Sequence, residues 1–279
     1  MVFYEVHIPH IIITKGLAMH LLIVFLTALI IASVGFIMYV YFFSVGYGFS
    51  IAGIGIVLLF MLRANVTPTT FIMCLLFIIY GARLGGYLLY RELKSTAYKK
   101  LLKGESKSNV PIGVKICIWL ACALLYLCET APVLFRMEAG AGADVFSVIG
   151  VILMASGIVI EMLADAQKNA AKKKDPHMFV DTGLYRFVRC PNYFGELLLW
   201  TGVFVSGLNI YSSLLMWVIA LLGYIGIVYV MFSGARRLEL RQDKNYGHNP
   251  RYQKYVKTVP IIVPFLPIYS VKKYSWLVA

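Results

Sequence analysis

With 60 % hydrophobic and only 14 % charged residues in 279, the chain carries more apolar side chain than a soluble fold of that length buries. That excludes a water-soluble globular enzyme and points to an all-α integral membrane protein. Its 26 Lys plus Arg against 13 Asp plus Glu give a formal net charge of +13. In a membrane protein this excess reads as cytoplasmic loop charge rather than a nucleic-acid surface, so no nucleic-acid partner is expected.

Apolar runs long enough for a hydrocarbon core of roughly 30 Å fall at 17–43, 49–66, 68–90, 113–136, 144–165, 194–208 and 211–233, which predicts about seven transmembrane helices. Residues 1–16 do not read as a cleavable signal, because the apolar run after them is too long and lacks a small-residue cleavage site. Tyr4, His7 and His10 instead suit the membrane interface. With seven spans, the loops at 91–112 and 166–193 and the segment after 233 share one side, holding six, six and nine of the 26 Lys and Arg. This asymmetry puts the basic face and the carboxy terminus in the cytoplasm and the amino terminus on the far side. The membrane would be the endoplasmic reticulum in a eukaryote or the inner membrane in a bacterium. No fixed repeat or low-complexity linker is present, so residues 1–279 read as one polytopic domain.

Of the five cysteines, Cys74, Cys117, Cys122 and Cys128 lie within predicted helices, where Cys behaves as a small hydrophobe. Neither they nor Cys190 show a zinc-type spacing, and no metal is expected. Gly46, Gly48, Gly53, Gly55, Gly202 and Gly207 read as helix contacts.

The third span carries Ile79-Tyr80-Gly-Ala-Arg83-Leu-Gly-Gly86-Tyr87, with Tyr80, Arg83 and Tyr87 on one helical face. An arginine inside a membrane helix should point inward and be paired, whereas tyrosines there are usually packing residues. The fourth span holds a deep acid, Glu129, beside Thr130 and Pro132, where satisfying a local polar group is the simpler role.

Three polar clusters then fall on the cytoplasmic side. In Glu161-Met-Leu-Ala-Asp165-Ala-Gln167-Lys168-Asn169-Ala-Ala-Lys172, residues 161, 165, 168, 169 and 172 share a face if the span continues as helix. The lysines alone would pass for headgroup-snorkelling residues, but the carboxylates would not. Thr182 to Glu196 packs Arg186, Arg189, Asn192, Tyr193 and Glu196 against the start of an apolar run, where unpaired polar groups are costly. Arg236 to Pro260 interleaves basic residues with Glu239, Tyr246, Tyr252 and Tyr255. Each cluster singly resembles a lipid-binding basic tail. Together they offer arginine forks for phosphates, phenol faces for stacking and acids for ribose hydroxyls, the inventory for a phosphorylated nucleotide. No Gly-rich Rossmann turn or P-loop accompanies them.

The run Ala164-Asp165-Ala-Gln167-Lys168-Asn, then Gly183 through Arg189-Cys190-Pro191-Asn192-Tyr193-Phe-Gly195-Glu196, then Arg237 through Tyr246-Gly and Tyr255 to Pro260, resembles the carboxy-terminal half of the steroid 5α-reductase and sterol C14/C7-reductase superfamily. The likeness covers roughly residues 70–268. It is nearest to the short, mostly uncharacterised membrane proteins with a steroid-reductase-like carboxy-terminal domain. The resemblance implies a seven-helix reductase that takes NADPH from the cytoplasm and delivers hydride to a carbon–carbon double bond of a sterol or other lipid enone. By motif position, Asp165, Lys168, Lys172, Arg189, Asn192, Tyr193, Glu196, Arg237, Tyr246 and Tyr255 would contact the cofactor. Tyr80, supported by Arg83, matches the third-helix tyrosine that polarises the substrate carbonyl as hydride arrives.

Two positions depart from the superfamily pattern. Cys190 stands where its arginine-histidine-proline-asparagine core has histidine, and residues 49–66 lack the second-helix glutamine-glutamate pair. Two alternatives stay open: an S-adenosylmethionine-dependent membrane methyltransferase of the isoprenylcysteine or phospholipid type, and a non-catalytic lipid-binding scaffold.

Overall fold

The computed structural model describes residues 15–94, 96, 100 and 110–277. Tyr4, His7, His10 and much of the basic loop at 91–112 lie outside the described residues. Every regular element among the described residues is helical: α1 (Lys15–Ala32), α2 (Val45–Met61), α3 (Pro68–Leu93), α4 (Ile112–Glu138), α5 (Val145–Lys174), α6 (Pro191–Ser206), α7 (Leu214–Tyr246) and α8 (Pro250–Thr258). Five stretches, Gly16–Phe36, Pro68–Leu93, Ile112–Glu138, Val145–Lys174 and Leu214–Tyr246, are long and apolar enough to cross a bilayer. The protein is therefore an integral, multi-span membrane protein. Helix α2 is apolar but shorter, at 17 residues, and α6, at 16, opens on polar residues before its apolar stretch.

Two compact units make up the chain, Met1–Val151 with Val203–Gly223 and Ile152–Gly202 with Tyr224–Ala279. In the first unit, the apolar run predicted as one helix over 17–43 is broken. Helix α1 ends at Ala32, and two 3₁₀ turns follow at Ser33–Phe36 and Tyr39–Phe43, with Met38 extended between them. The cause is local: a Cβ at Gly35 would stand 2.1 Å from the Phe42 ring, so the fully buried Phe42 packs flat on a glycine and folds the chain back. Helices α2 and α3 meet backbone to backbone, since a Cβ at Gly81 would stand 2.3 Å from the Gly48 carbonyl oxygen. Small residues permit that approach in lipid, where packing rather than hydrophobic burial joins helices.

The end of α4 is fastened by Arg136, fully buried, which donates to the Ser206 carbonyl at 2.7 Å, the Gly142 carbonyl at 2.6 Å and Asp144 Oδ2 at 2.5 Å. Asp144 and Ser147 cap the start of α5 reciprocally: Ser147 N–H donates to Asp144 Oδ1 and Asp144 N–H to Ser147 Oγ, both at 2.9 Å.

In the second unit, α5 runs unbroken to Lys174, so the stripe of residues 161–172 is helical. It crosses α6 where Gly157 faces Gly195, a Cβ on Gly157 falling 2.3 Å from the Gly195 carbonyl oxygen and one on Gly195 falling 2.9 Å from Glu161 N. The start of α6 is thus level with the stretch of α5 near Glu161, where that helix turns from apolar to polar.

Candidate functional site

The segment before α6 is laid along α5. Gly183 has φ of +63°, a left-handed conformation that favours glycine, and a Cβ there would meet Gln167 Oε1 at 2.3 Å. That oxygen accepts the Leu184 N–H at 2.8 Å, fixing the 3₁₀ turn Gly183–Arg186. Tyr185 donates to the Ala164 carbonyl at 3.3 Å and in turn offers its own carbonyl to the Tyr255 hydroxyl at 2.7 Å, tying α5, this turn and α8 together.

At its centre is Arg189, only 2 % exposed. Its N–H and that of Cys190 donate to the Pro260 and Ile261 carbonyls, both at 2.9 Å. Its Nη2 donates to Glu239 Oε1 at 2.9 Å and to the Tyr269 carbonyl. Glu239, on α7 and 3 % exposed, uses Oε2 to accept the Val271 and Lys272 N–H groups at 2.9 and 3.1 Å. The Nε and Nη1 of Arg189 have no hydrogen-bond partner among the described residues. A buried donor left without an acceptor is costly, so this half of the guanidinium has hydrogen-bonding capacity to spare. Burial pushes the adjacent Cys190 thiol up to about 12, so it stays protonated and replaces neither the charge nor the ring hydrogen bond of an imidazole.

Beside this pair, Phe179, Tyr246, Tyr252 and Tyr255 form an aromatic cluster. Tyr252 donates to Asp243 Oδ1 at 2.8 Å, while Lys272 reaches Asp243 Oδ2 at 2.8 Å. Lys172 donates to the Tyr246 hydroxyl and the Pro176 carbonyl, each at 3.0 Å, and to the Met178 carbonyl at 2.5 Å. Burial pushes the Tyr252 and Tyr255 phenols up, which keeps both as donors. Arg251 forks onto both oxygens of Asp181 at 2.8 and 2.9 Å. An open groove of about 260 Å³ runs past this pair, Arg186 and Lys254, smaller than the cavities that usually enclose whole cofactors.

All ten residues singled out as cofactor contacts belong to the second unit. Lys172 and Tyr246 touch directly, and Tyr255 joins the turn that leads to Arg189. Glu196 is buried, Asp165, Lys168, Asn192 and Tyr193 are half-buried, and Arg237 is exposed. Tyr80 and Arg83 belong to the first unit. Tyr80 is fully buried and donates to the Tyr47 hydroxyl at 3.3 Å, and the Tyr47 ring lies 5.1 Å from that of Tyr126, which donates to the Phe42 carbonyl. Tyr47 is a polar partner supplied by α2, missed in the sequence because the helix begins four residues before the expected 49. Glu239 was also missed as the partner of Arg189; its signal was a single acid inside the basic run Arg236–Arg241. Among the described residues, no group of three or more His, Cys, Asp or Glu is arranged to hold a metal.

The chain belongs to the family described as Protein of unknown function (DUF1295), which it matches over residues 40–259. No curated protein and no solved structure matches it.

Proposed function

We propose that this family member is a membrane-embedded, NADPH-dependent reductase that adds hydride to an electron-poor carbon–carbon double bond of a sterol or other lipid enone. Seven spans and a cytoplasmic basic face belong to the same reading, which rests on the likeness of residues 164–260 to the steroid-reductase superfamily. The observation that carries it is Arg189, buried with Nε and Nη1 unpartnered at the head of α6. Such a guanidinium fits a phosphate oxygen and fits nothing apolar.

The residues suit a phosphorylated dinucleotide as follows. Arg189, Lys168 and Arg237 would hold phosphate, Asn192 and Glu196 would hold polar edges from one face of α6, and the Tyr246 and Tyr255 side would supply an aromatic wall. NADPH bound there would supply the hydride. Tyr80, a phenol held by Tyr47 in the first unit, is the proposed donor to the substrate oxygen, stabilising the negative charge that develops on it as the β-carbon gains hydride.

A specific observation favours a second reading, the non-catalytic scaffold: Lys172 already binds three protein oxygens and Tyr255 one. Purified protein in proteoliposomes, given NADPH and a panel of enone lipids, separates the two. Oxidation of NADPH that depends on both lipid and protein supports the reductase. A panel without turnover, alongside lipid binding that NADPH leaves unchanged, supports the scaffold.

A further inference from the structure

Beyond α8 the chain does not leave the fold. The Ile261 N–H donates to the Ile268 carbonyl at 2.8 Å, closing a loop whose root is pinned by the Arg189 and Cys190 N–H groups. Ile261, Ile262 and Val271 are buried at the root, but Phe265 at the tip is 93 % exposed, with Leu266 beside it. Phe265 also has φ of +65°, a left-handed conformation that side-chain-bearing residues rarely adopt, between Pro264 and Pro267. A phenylalanine held outward in this way is better accommodated by apolar surroundings than by water.

The segment then follows α7 back toward its amino-terminal half. Lys272 meets Asp243 and Glu239, Arg236 donates to the Lys272 and Leu277 carbonyls at 3.2 and 3.0 Å, and Tyr229 donates to the Trp276 carbonyl at 3.0 Å. The Trp276 ring stacks on that of Tyr229, with centroids 6.1 Å apart. Residues 214–235 of α7 hold no charged side chain, and Tyr229 lies about 10 Å inside the first one, Arg236, at 1.5 Å per residue. Trp276 is 65 % exposed there, level with helix surface that only lipid suits.

The geometry points to residues 261–277 being a strap seated in the membrane, its occupant the headgroup–acyl boundary of the bilayer that holds the protein, contacted by Phe265, Leu266 and Trp276. The same strap carries the Tyr269 carbonyl and the Val271 and Lys272 N–H groups that hold Arg189 and Glu239. The bilayer therefore bears on the position of that pair. This inference does not depend on the reductase reading.

The test uses the full chain in phospholipid vesicles. With Cys117, the one exposed cysteine among the described residues, changed to Ser, Phe265→Cys and Trp276→Cys are each spin-labelled. Collision with oxygen, which partitions into lipid, is then compared with collision with a water-soluble nickel chelate. Oxygen access several-fold above chelate access at both positions is expected, with the reverse at a Lys254→Cys control. Chelate access above oxygen access at 265 and 276 overturns the inference, and so does exclusion of both reagents, which would mean a protein partner. If Trp276→Cys does not fold, native Trp276 fluorescence is taken by difference from Trp276→Phe. Quenching by brominated lipid supports the strap, and quenching only by aqueous iodide overturns it.

Discussion

Arg189 and Glu239, fifty residues apart in sequence, form an ion pair at 2.9 Å with both side chains almost wholly withdrawn from solvent. The pair joins the head of α6 to α7, and the spare carboxylate oxygen holds two backbone N–H groups of the returning segment. Removing one partner of a buried pair leaves an uncompensated charge, which costs more than the pair itself contributes. Glu239→Ala is therefore expected to lower stability by about 3–5 kcal/mol, read as an earlier thermal unfolding transition in detergent. An unchanged transition would show that the pair is not a structural fastening.

Cys190 should be chemically silent. Its thiol is buried and pushed up to about 12, so almost none is thiolate at pH 8, and the reactive fraction grows only as pH rises toward that value. Iodoacetamide followed by mass spectrometry should leave Cys190 unmodified until denaturant is added. Rapid alkylation of the native protein at pH 8 would mean an exposed or activated thiol.

Much of this architecture is legible from hydrophobicity, because the membrane-length helices announce themselves as apolar runs, whereas the polar α8 and the polar end of α7 do not. The continuation of α5 to Lys174 is likewise legible, in the three-and-four spacing of its polar stripe. The break after Ala32 is not, since Gly35 accepting the Phe42 ring is a contact that no local run reveals. Arg136 is missed for the same reason: its partners are the carbonyl of Ser206 at the end of α6, that of Gly142 and Asp144, which the fold assembles. In the candidate site the motif residues are visible one by one, but Glu239, Tyr47 and the return of residues 260–277 depend on tertiary proximity.

Asn192 and Glu196 lie four residues apart on α6 and share a helical face. Changing either to Ala is expected to weaken NADPH binding by about 1–3 kcal/mol, the cost of leaving a buried polar partner unsatisfied, while the protein stays folded. Both variants binding normally would leave this face with a packing role alone.

Tyr80→Phe removes a hydroxyl that meets Tyr47 and keeps the ring's packing. Turnover with an enone lipid should fall by about 10²–10³, as for loss of one donor to a developing oxyanion, with little change in NADPH affinity. Unchanged turnover would move the donor elsewhere, and Tyr87 and Glu129 would be tried next.

On the proposed reading, the basic second unit holds a phosphorylated nicotinamide. Calorimetry on detergent-purified protein with NADPH, NADH and S-adenosylmethionine tests it most directly. NADPH is expected to bind, NADH to bind more weakly because it lacks the 2′-phosphate that the surplus of Arg and Lys would engage, and S-adenosylmethionine not to bind. Equal affinity for NADH and NADPH, or tight S-adenosylmethionine binding without nicotinamide binding, would contradict it.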